Sequence, residues 1–282
     1  MIKQILVPTD GSENSLTATD YAISIAKVFN ANIRGLFVKD SKILTGPLIH
    51  DIGTSIGGMV PYGTFHQTIR TMMESQGDTA LNQVEEKCKE KGIAFGREIR
   101  EGLVSTEIVK SAENCDLVSM GKMGIHAEWR DVFLGTTVEY VVRQTHKPVL
   151  ITPSQFKPFK KMLIAYDGSS FSDKALQSGA EIAKAMNLSV TIVCVADKEG
   201  EAMNILSKAK TSFEGYKLTV ETISKGGYDH AGGILNVCNH EDRNFDLLVM
   251  GAYGHSRIQE MILGSTTVRV MRETNCPILL CR

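Results

Sequence analysis

The feature that most constrains the fold of this chain is an internal repeat that runs through nearly all of it. KQILVPTDGSENS (3–15) aligns with KKMLIAYDGSSFS (160–172), so the two copies share an Asp-Gly-Ser triplet after an apolar run. Further along, CDLVSMGKMG (115–124) aligns with FDLLVMGAYG (245–254). Solenoid units repeat every 20–50 residues or so, and this repeat is much longer. It therefore indicates two tandem copies of a whole domain.

We predict domains over residues 1–153 and 160–282, joined by PSQFKPFK (153–160), whose two prolines suit a linker. In each copy, short apolar runs alternate with segments of helical periodicity, five times over. Runs without polar alternation, such as QILVPTD, are typical of strands buried on both faces. This order predicts an α/β fold: two doubly wound domains, each a five-stranded parallel sheet with helices on both faces.

The composition narrows the classes of function. A formal net charge of −1 indicates no electrostatic attraction to nucleic acid or to an anionic membrane. The sequence shows no signal peptide and no apolar run long enough to span a bilayer, so we expect a cytoplasmic protein. The 6 cysteines are scattered, with no C-x-x-C pair. We interpret them as small buried side chains in a reducing compartment, too dispersed for a zinc site.

The second copy carries a glycine pattern where a doubly wound sheet binds ligands, outside the carboxyl ends of its strands. Gly251 and Gly254 follow the fourth strand, and Gly264-Ser265 opens the next helix. Backbone N–H groups at a helix start favour an anion, and glycines allow a phosphate to approach closely. Asp167, after the first strand, is placed to accept hydrogen bonds from a ribose. Taken singly, these motifs could equally be a turn and a helix cap.

Together, ILVPTDGS, MLIAYDGS and the G-x2-G-x9-G-S spacing resemble the universal stress protein family, as a tandem two-domain member. The resemblance implies a five-stranded parallel α/β domain and, for members with this motif, binding of ATP. It implies that Asp167 and Val195 contact ribose and adenine and that the glycine loop holds the phosphates. It also implies pairing through the fifth strands, PVLIT and PILLC, within and between chains. An apolar final strand is otherwise an unpaired edge.

We expect the cofactor to be ATP or AMP, which Mg²⁺ could accompany with Asp167 holding it through water. His255 could donate to a phosphate or be a solvated loop residue. The candidate binding residues of the second copy are Ala165, Asp167, Val195, Met250, Gly251, Gly254, His255, Gly264, Ser265, Thr266 and Thr267. The matching candidates of the first copy are Pro8, Asp10, Val38, Gly121, Gly124, Gly135, Thr136 and Thr137.

The first copy departs from the second in two places. Its glycine loop reads Gly121-x2-Gly124-x10-Gly135, one residue longer, and it contains HAEWRD. The extra residue could bulge harmlessly or move Gly124 away from a phosphate, and the sequence leaves both open. The first copy also has a long, apolar, glycine-rich insert at about 41–67. We expect it to form a lid or to pack on the partner domain, with a flexible insertion as the alternative.

The motifs of common nucleotide-processing enzymes are absent. The chain has no G-x-x-x-x-G-K-[S/T] phosphate loop. No general base is evidently aimed at a γ-phosphate, so at most slow ATP hydrolysis is expected. The sequence therefore favours an adenine-nucleotide-binding regulator of a stress response. A nucleotide-independent scaffold or dimerisation module and a slow ATPase are the alternatives.

Overall fold

The structure is a computed structural model that describes residues 1–45, 62–124, 134–227, 229–240, 242–254 and 263–282. Most of the predicted insert at 41–67, together with Trp129, His126 and His255, lies outside these residues. The parts of the insert that are described are helical, at its two ends.

Strands and helices alternate along both halves. The strands of the first half are β1 Gln4–Pro8, β2 Asn32–Asp40, β3 Phe95–Gly102, β4 Leu117–Gly121 and β5 Val149–Thr152. Its helices are α1 Glu13–Phe29, α2 Ser41–Thr45, α3 Tyr62–Glu90, α4 Val104–Ala112 and α5 Thr136–Gln144. The strands of the second half are β6 Lys161–Ala165, β7 Ser189–Ala196, β8 Val220–Gly226, β9 Leu247–Gly251 and β10 Ile278–Cys281. Its helices are α6 Ser170–Met186, α7 Glu199–Glu214, α8 His230–Cys238 and α9 Ser265–Glu273.

The predicted fold class is confirmed, because the described residues of each half form five parallel strands. The strand order is β3-β2-β1-β4-β5 in the first half, and the second half repeats it as β8-β7-β6-β9-β10. The order reverses between the first and fourth strands of each half. The carboxyl ends of these two strands border the crevice in which such sheets bind ligands.

The two halves form one ten-stranded sheet, because β5 and β10 pair with each other in antiparallel orientation. The expected contact between the fifth strands is therefore present within the chain. Each of these strands also has a parallel neighbour on its other side, β4 or β9. The expectation that the same strands also pair between chains is corrected by this topology, since another chain would have to displace an existing ladder. The edge strands of the sheet are β3 and β8.

Two apolar cores lie on opposite faces of this sheet. Along β1, Ile5 and Val7 enter one core and Leu6 enters the other, as the period of a strand requires. The first core is completed by α1, α3, α6 and α7, and the second by α4, α5, α8 and α9. Both cores contain residues of both halves, so they continue across the β5–β10 pairing.

The proline-containing linker is held against α1 by Tyr21. The Tyr21 hydroxyl donates to the carbonyl of Gln155 (3.2 Å) and accepts from the amide of Lys157 (3.0 Å). Its ring contacts Phe156 and Phe159, with centroids 4.8 and 5.2 Å away. Burial raises the pKa of Tyr21, in keeping with a neutral hydroxyl in this contact. The linker is thus part of the packed structure.

Serine caps begin the first helix of each half. Ser12 and Ser169 accept hydrogen bonds from the amides of Ser15 and Ser172, three residues on (both 3.3 Å). Ser12 is the N-cap of α1, and Ser169 is the N-cap of α6. The repeat therefore preserves a cap that satisfies an otherwise unpaired helix N–H group.

We expect Ser169→Ala to lower the free energy of unfolding by about 1 kcal/mol, because the amide of Ser172 loses its acceptor in a buried place. Urea unfolding measures the change. The matched control is Ser170→Ala, an exposed substitution one residue further on, for which a change within about 0.5 kcal/mol is expected. Equal losses in the two variants would contradict the cap assignment.

Candidate functional site

The crevice of the second half brings the predicted strand ends together. β6 and β9 are neighbours, with Ala165 opposite Met250. Asp167 follows β6, and Gly251 ends β9. A methyl group added at Gly254 would lie 3.0 Å from Asp167 Oδ2, so the glycine loop and this carboxylate are in close contact. Residues about ninety positions apart along the chain thus form one site.

The Asp-Gly-Ser triplet has a local reason for its shape. Gly168 has φ of +80°, a left-handed conformation that glycine adopts without steric cost. This turn lets Asp167 Oδ1 accept a hydrogen bond from the amide of Ser169 (2.9 Å), while Ser169 caps α6. The Asp167 carboxylate is therefore held in position by its own turn, and it is only half-buried.

The start of α9 forms the opposite wall. Gly264 is the N-cap, with φ of −59° and ψ of 143°, and no side chain caps the helix. The Thr267 hydroxyl donates to the carbonyl of Ala252 (3.0 Å) and is buried, so it ties the helix start to the loop after β9. Ser265 is exposed and Thr266 half-buried in the first turn. The helix start thus presents backbone N–H groups and hydroxyls at one place.

These walls enclose a cavity of about 420 Å³, within the range of about 300–1,000 Å³ that is usual for small-molecule sites. All the second-half candidates except His255, which lies outside the described residues, line this cavity. Residues that the sequence analysis did not single out also line it. They are Tyr166, Ser172, Val193, Ala196, Asp197, Glu201, Ile205, His230, Ile234 and Tyr253.

Four of these additional residues come from the helices α7 and α8. Glu201 and Ile205 lie one turn apart on α7, and His230 and Ile234 one turn apart on α8. A spacing of four residues indicates a shared helix face, but it does not say which face meets the crevice. Tyr166 and Tyr253 are the chain neighbours of the predicted residues Asp167 and Gly254. This adjacency is the one sequence feature that could have indicated that they line the cavity.

Charge is distributed unevenly around the cavity. The carboxylates of Asp167, Asp197 and Glu201 lie on the side formed by β6, β7 and α7. The Nε2 atom of His230 is 3.6 Å from Asp197 Oδ1. Carboxylates accept hydrogen bonds and repel anions. A ligand with hydroxyls at one end and an anionic group at the other would therefore place its anion toward α9.

The two tyrosines are held by neighbours outside the cavity. The Tyr166 hydroxyl donates to Asp173 Oδ1 (2.7 Å), and burial together with this carboxylate keeps the pKa of Tyr166 well above its ordinary value. The Tyr253 ring contacts Phe171, with centroids 5.1 Å apart, and the Arg282 guanidinium lies 5.2 Å from its centre. Tyr166 is therefore a neutral hydrogen-bond donor that is already engaged.

The first half repeats the close approach of its strand ends. A methyl group at Gly124 would lie 3.0 Å from Asp10 Oδ2, as at Gly254 in the second half. Asp10 Oδ1 accepts from the amide (3.0 Å) and the hydroxyl (2.6 Å) of Ser12. Pro8 ends β1, and Val38 is buried in β2. The extra loop residue therefore leaves the distance between Gly124 and Asp10 unchanged.

The helix start of the first half differs from that of the second. The amide of Gly135 donates to the carbonyl of Lys122 (3.0 Å). In the second half the corresponding carbonyl, that of Ala252, accepts the Thr267 hydroxyl. At the position of Thr267 the first half has Val138, which has no hydroxyl. Thr136 and Thr137 still open α5, but the Gly135 N–H is engaged within the protein.

Neither a metal centre nor a membrane span is found in the described part of the chain. Within those ranges, no three or more His, Cys, Asp or Glu side chains are grouped so as to hold a metal ion. None of the helices seen there combines the length and apolar character needed to cross a bilayer.

Comparison with known proteins agrees with the geometry. The profile of the universal stress protein family matches residues 1–153 and again residues 158–282. A universal stress protein of Synechocystis is 31% identical over 297 residues, covering 100% of both chains. One of Methanocaldococcus jannaschii is 33% identical over 153 residues, covering 54% of this chain and 82% of its own.

Solved structures extend the agreement to the whole fold. The crystal structure of a universal stress protein from Archaeoglobus fulgidus superimposes with a TM-score of 0.76 at 25% identity, covering 99% of this chain and 98% of the other. A structure from Pseudomonas aeruginosa reaches 0.66 at 15% identity, covering 99% and 93%, and supports the fold alone. With two matches of the family profile and a relative that spans its full length, the chain belongs to the universal stress protein family.

Proposed function

We propose that the cavity of the second half binds an adenine nucleotide, ATP or AMP, and that its occupancy regulates this member of the universal stress protein family. The observation that carries the proposal is the cavity of about 420 Å³ in which Asp167, the Gly251–Gly254 loop and the start of α9 meet. A regulator of this kind changes its conformation or partners because nucleotide binds two states with different affinity.

The chemistry of the walls supports one orientation of the nucleotide. The phosphates would lie at the start of α9, where helix N–H groups and the Ser265 and Thr266 hydroxyls are presented. The ribose hydroxyls would donate to the Asp167 carboxylate, an acceptor. The base would rest on the apolar groups Ala165, Val195 and Ile234. Mg²⁺ could bind the phosphates with few protein ligands.

The purified protein provides the first test. Heat denaturation, removal of the precipitate and chromatography with mass detection would identify any nucleotide that copurifies. We expect an adenine nucleotide at about one per chain, and a rise in melting temperature when ATP is added to stripped protein. No released nucleotide and no thermal shift at millimolar ATP would contradict the proposal and favour a nucleotide-independent scaffold.

Gly264→Ala tests the position of the phosphates without disturbing the fold. The nearest atom to the added methyl group would be Thr267 Oγ1 at 3.7 Å, an ordinary contact, and the backbone angles suit alanine. The methyl would instead occupy the space through which a phosphate approaches the helix N–H groups. We expect at least tenfold weaker ATP binding by calorimetry, about 1.4 kcal/mol, with the melting temperature of the nucleotide-free protein nearly unchanged.

Gly135→Ala is the matched control in the first half. The nearest atom to its methyl group would be the Lys122 carbonyl oxygen at 3.4 Å. Because the Gly135 N–H already donates to that oxygen, we expect this half to bind nucleotide more weakly. Gly135→Ala should then leave the tight binding event intact. Equal losses from both substitutions, or unchanged affinity in Gly264→Ala, would contradict the assignment to the second half.

A further inference from the structure

Two cysteines that the sequence places 38 residues apart meet in the second half. Cys238 is the last residue of α8, and Cys276 lies between α9 and β10. Their Sγ atoms are 3.2 Å apart, so they need to close by only about 1.1 Å to reach the length of a disulfide bond. Both are free thiols in this structure. The other cysteines, Cys88, Cys115, Cys194 and Cys281, are buried.

The surroundings of the pair favour ionisation of one thiol. The Thr274 hydroxyl lies 3.5 Å from each sulfur. The Lys122 ammonium donates to the carbonyl of the same Thr274 (3.2 Å), which places a cation beside the pair. The hydrogen bond from Cys276 lowers the pKa of Cys238, whereas the same hydrogen bond and burial raise the pKa of Cys276. Cys238 is therefore the sulfur that ionises more readily, and the thiolate is the reactive form of a cysteine.

The pair is also accessible from one side. Cys238 is buried, whereas Cys276 is half-buried. The first half has no counterpart, since α4 ends at Ala112 and the residue before Pro148 is Lys147. The two sulfurs are therefore a feature of the second half and not a general property of the repeat.

From this geometry we infer that Cys238 and Cys276 form a reversible intramolecular disulfide when the protein meets a hydroperoxide. One thiolate attacks the peroxide, forming an S–O bond and breaking the O–O bond, and an alcohol or water leaves. The second thiol attacks the resulting sulfenic acid, forming the S–S bond and releasing water. Two thiols are oxidised and one peroxide is reduced. A dithiol restores the pair by exchange.

The disulfide would join the far ends of two elements that line the nucleotide cavity. The starts of α8 and α9 both reach this cavity, through His230 and Ser265. The bond would fix the end of α8 to the segment that follows α9. The inference does not depend on nucleotide binding, since it rests on the two sulfurs alone.

The test treats the reduced full-length protein with hydrogen peroxide, blocks the remaining thiols under denaturing conditions and maps the tryptic peptides. We expect two of the 6 thiols to disappear and to return with dithiothreitol. Cleavage after Lys225, Arg243 and Arg272 should give peptide 226–243 linked to peptide 273–282. The second peptide also contains Cys281, so mapping of the wild-type protein alone does not show whether Cys238 is bonded to Cys276 or to Cys281.

Cysteine variants identify which two sulfurs form the disulfide. The linked peptide should persist in Cys281→Ser and be lost in Cys276→Ser and in Cys238→Ser. Circular dichroism establishes that each variant is folded, and Cys276→Ala replaces Cys276→Ser if the hydroxyl disturbs the packing. The inference would be overturned by a linked peptide that persists without Cys276. It would also be overturned if wild type gave only sulfinic or sulfonic acids, or no thiol loss, under peroxide that fully oxidises glutathione.

Discussion

Leu279→Ala should lower the free energy of unfolding by about 2–5 kcal/mol, the range found for emptying a buried leucine site. Leu279 lies in β10 directly opposite Leu150 of β5, where the two halves join, and both side chains are buried in the same core. Opposed residues of an antiparallel pair have neighbouring side chains on one face of the sheet. The substitution therefore leaves a cavity at the junction of the halves, which the packed surroundings cannot fill.

Denaturant unfolding followed by circular dichroism measures this loss. Met203→Ala is the matched control, because the Met203 side chain is 55% exposed on α7 and its removal should change stability by no more than about 0.5 kcal/mol. A double-mutant cycle with Leu150→Ala tests the contact itself, with an expected coupling of about 0.5–3 kcal/mol. Strictly additive losses would show that the two leucines do not support each other across the junction.

Gly251→Ala should destabilise the second half of the protein. A methyl group there would lie 2.9 Å from the carbonyl carbon of Phe171 and 3.0 Å from the amide nitrogen of Ser172. These are backbone atoms of the first turn of α6, so they cannot move aside as the end of a flexible side chain would. Adding a methyl group to such a well-packed position lowers the free energy of unfolding by about 1–3 kcal/mol. We also expect weaker ATP binding, since the glycine loop must shift.

Substitutions at two further glycines show how much of the effect of Gly251→Ala comes from packing and how much from loss of the ligand site. Gly121→Ala meets the backbone of Asn14 at 2.9 Å in the first half and should destabilise the protein similarly. Gly200→Ala on α7 meets no atom within 4 Å, and replacing a helical glycine should be neutral or stabilise by up to about 1 kcal/mol. Thermal melts of the three variants without nucleotide provide the comparison. A stable Gly251→Ala protein would contradict the close approach of β9 and α6.

Much of the fold follows from local signals. Buried strands are visible as unbroken apolar runs such as that of β6, and the helices show their own periodicity. Asp167, Gly251 and Gly264 are recognisable because each lies at or near the end of an apolar run or directly before a helix. Once the parallel order is inferred, such residues must meet at one edge of the sheet. The repeat strengthens each assignment, because every element is seen twice.

The depth of the cavity could not be predicted in this way. Ile234 and Glu201 line it because α8 and α7 lie over the strand ends at particular angles, which depend on the packing of whole helices on the sheet. The difference between the two helix starts also depends on tertiary contacts. In the second half the Thr267 hydroxyl donates to the carbonyl that follows the fourth strand, whereas in the first half the Gly135 N–H donates to the equivalent carbonyl.

The two copies, their parallel strands and the residues at the strand ends can be read from the sequence alone, because they depend on periodicity and on neighbours within a few positions. The pairing of β5 with β10, the hold of Tyr21 on the linker and the contact of Cys238 with Cys276 become visible only in the folded chain. Each of these contacts joins segments that are distant along the chain. Their geometry is set by the packing of the complete sheet and its helices, which no short stretch of sequence encodes.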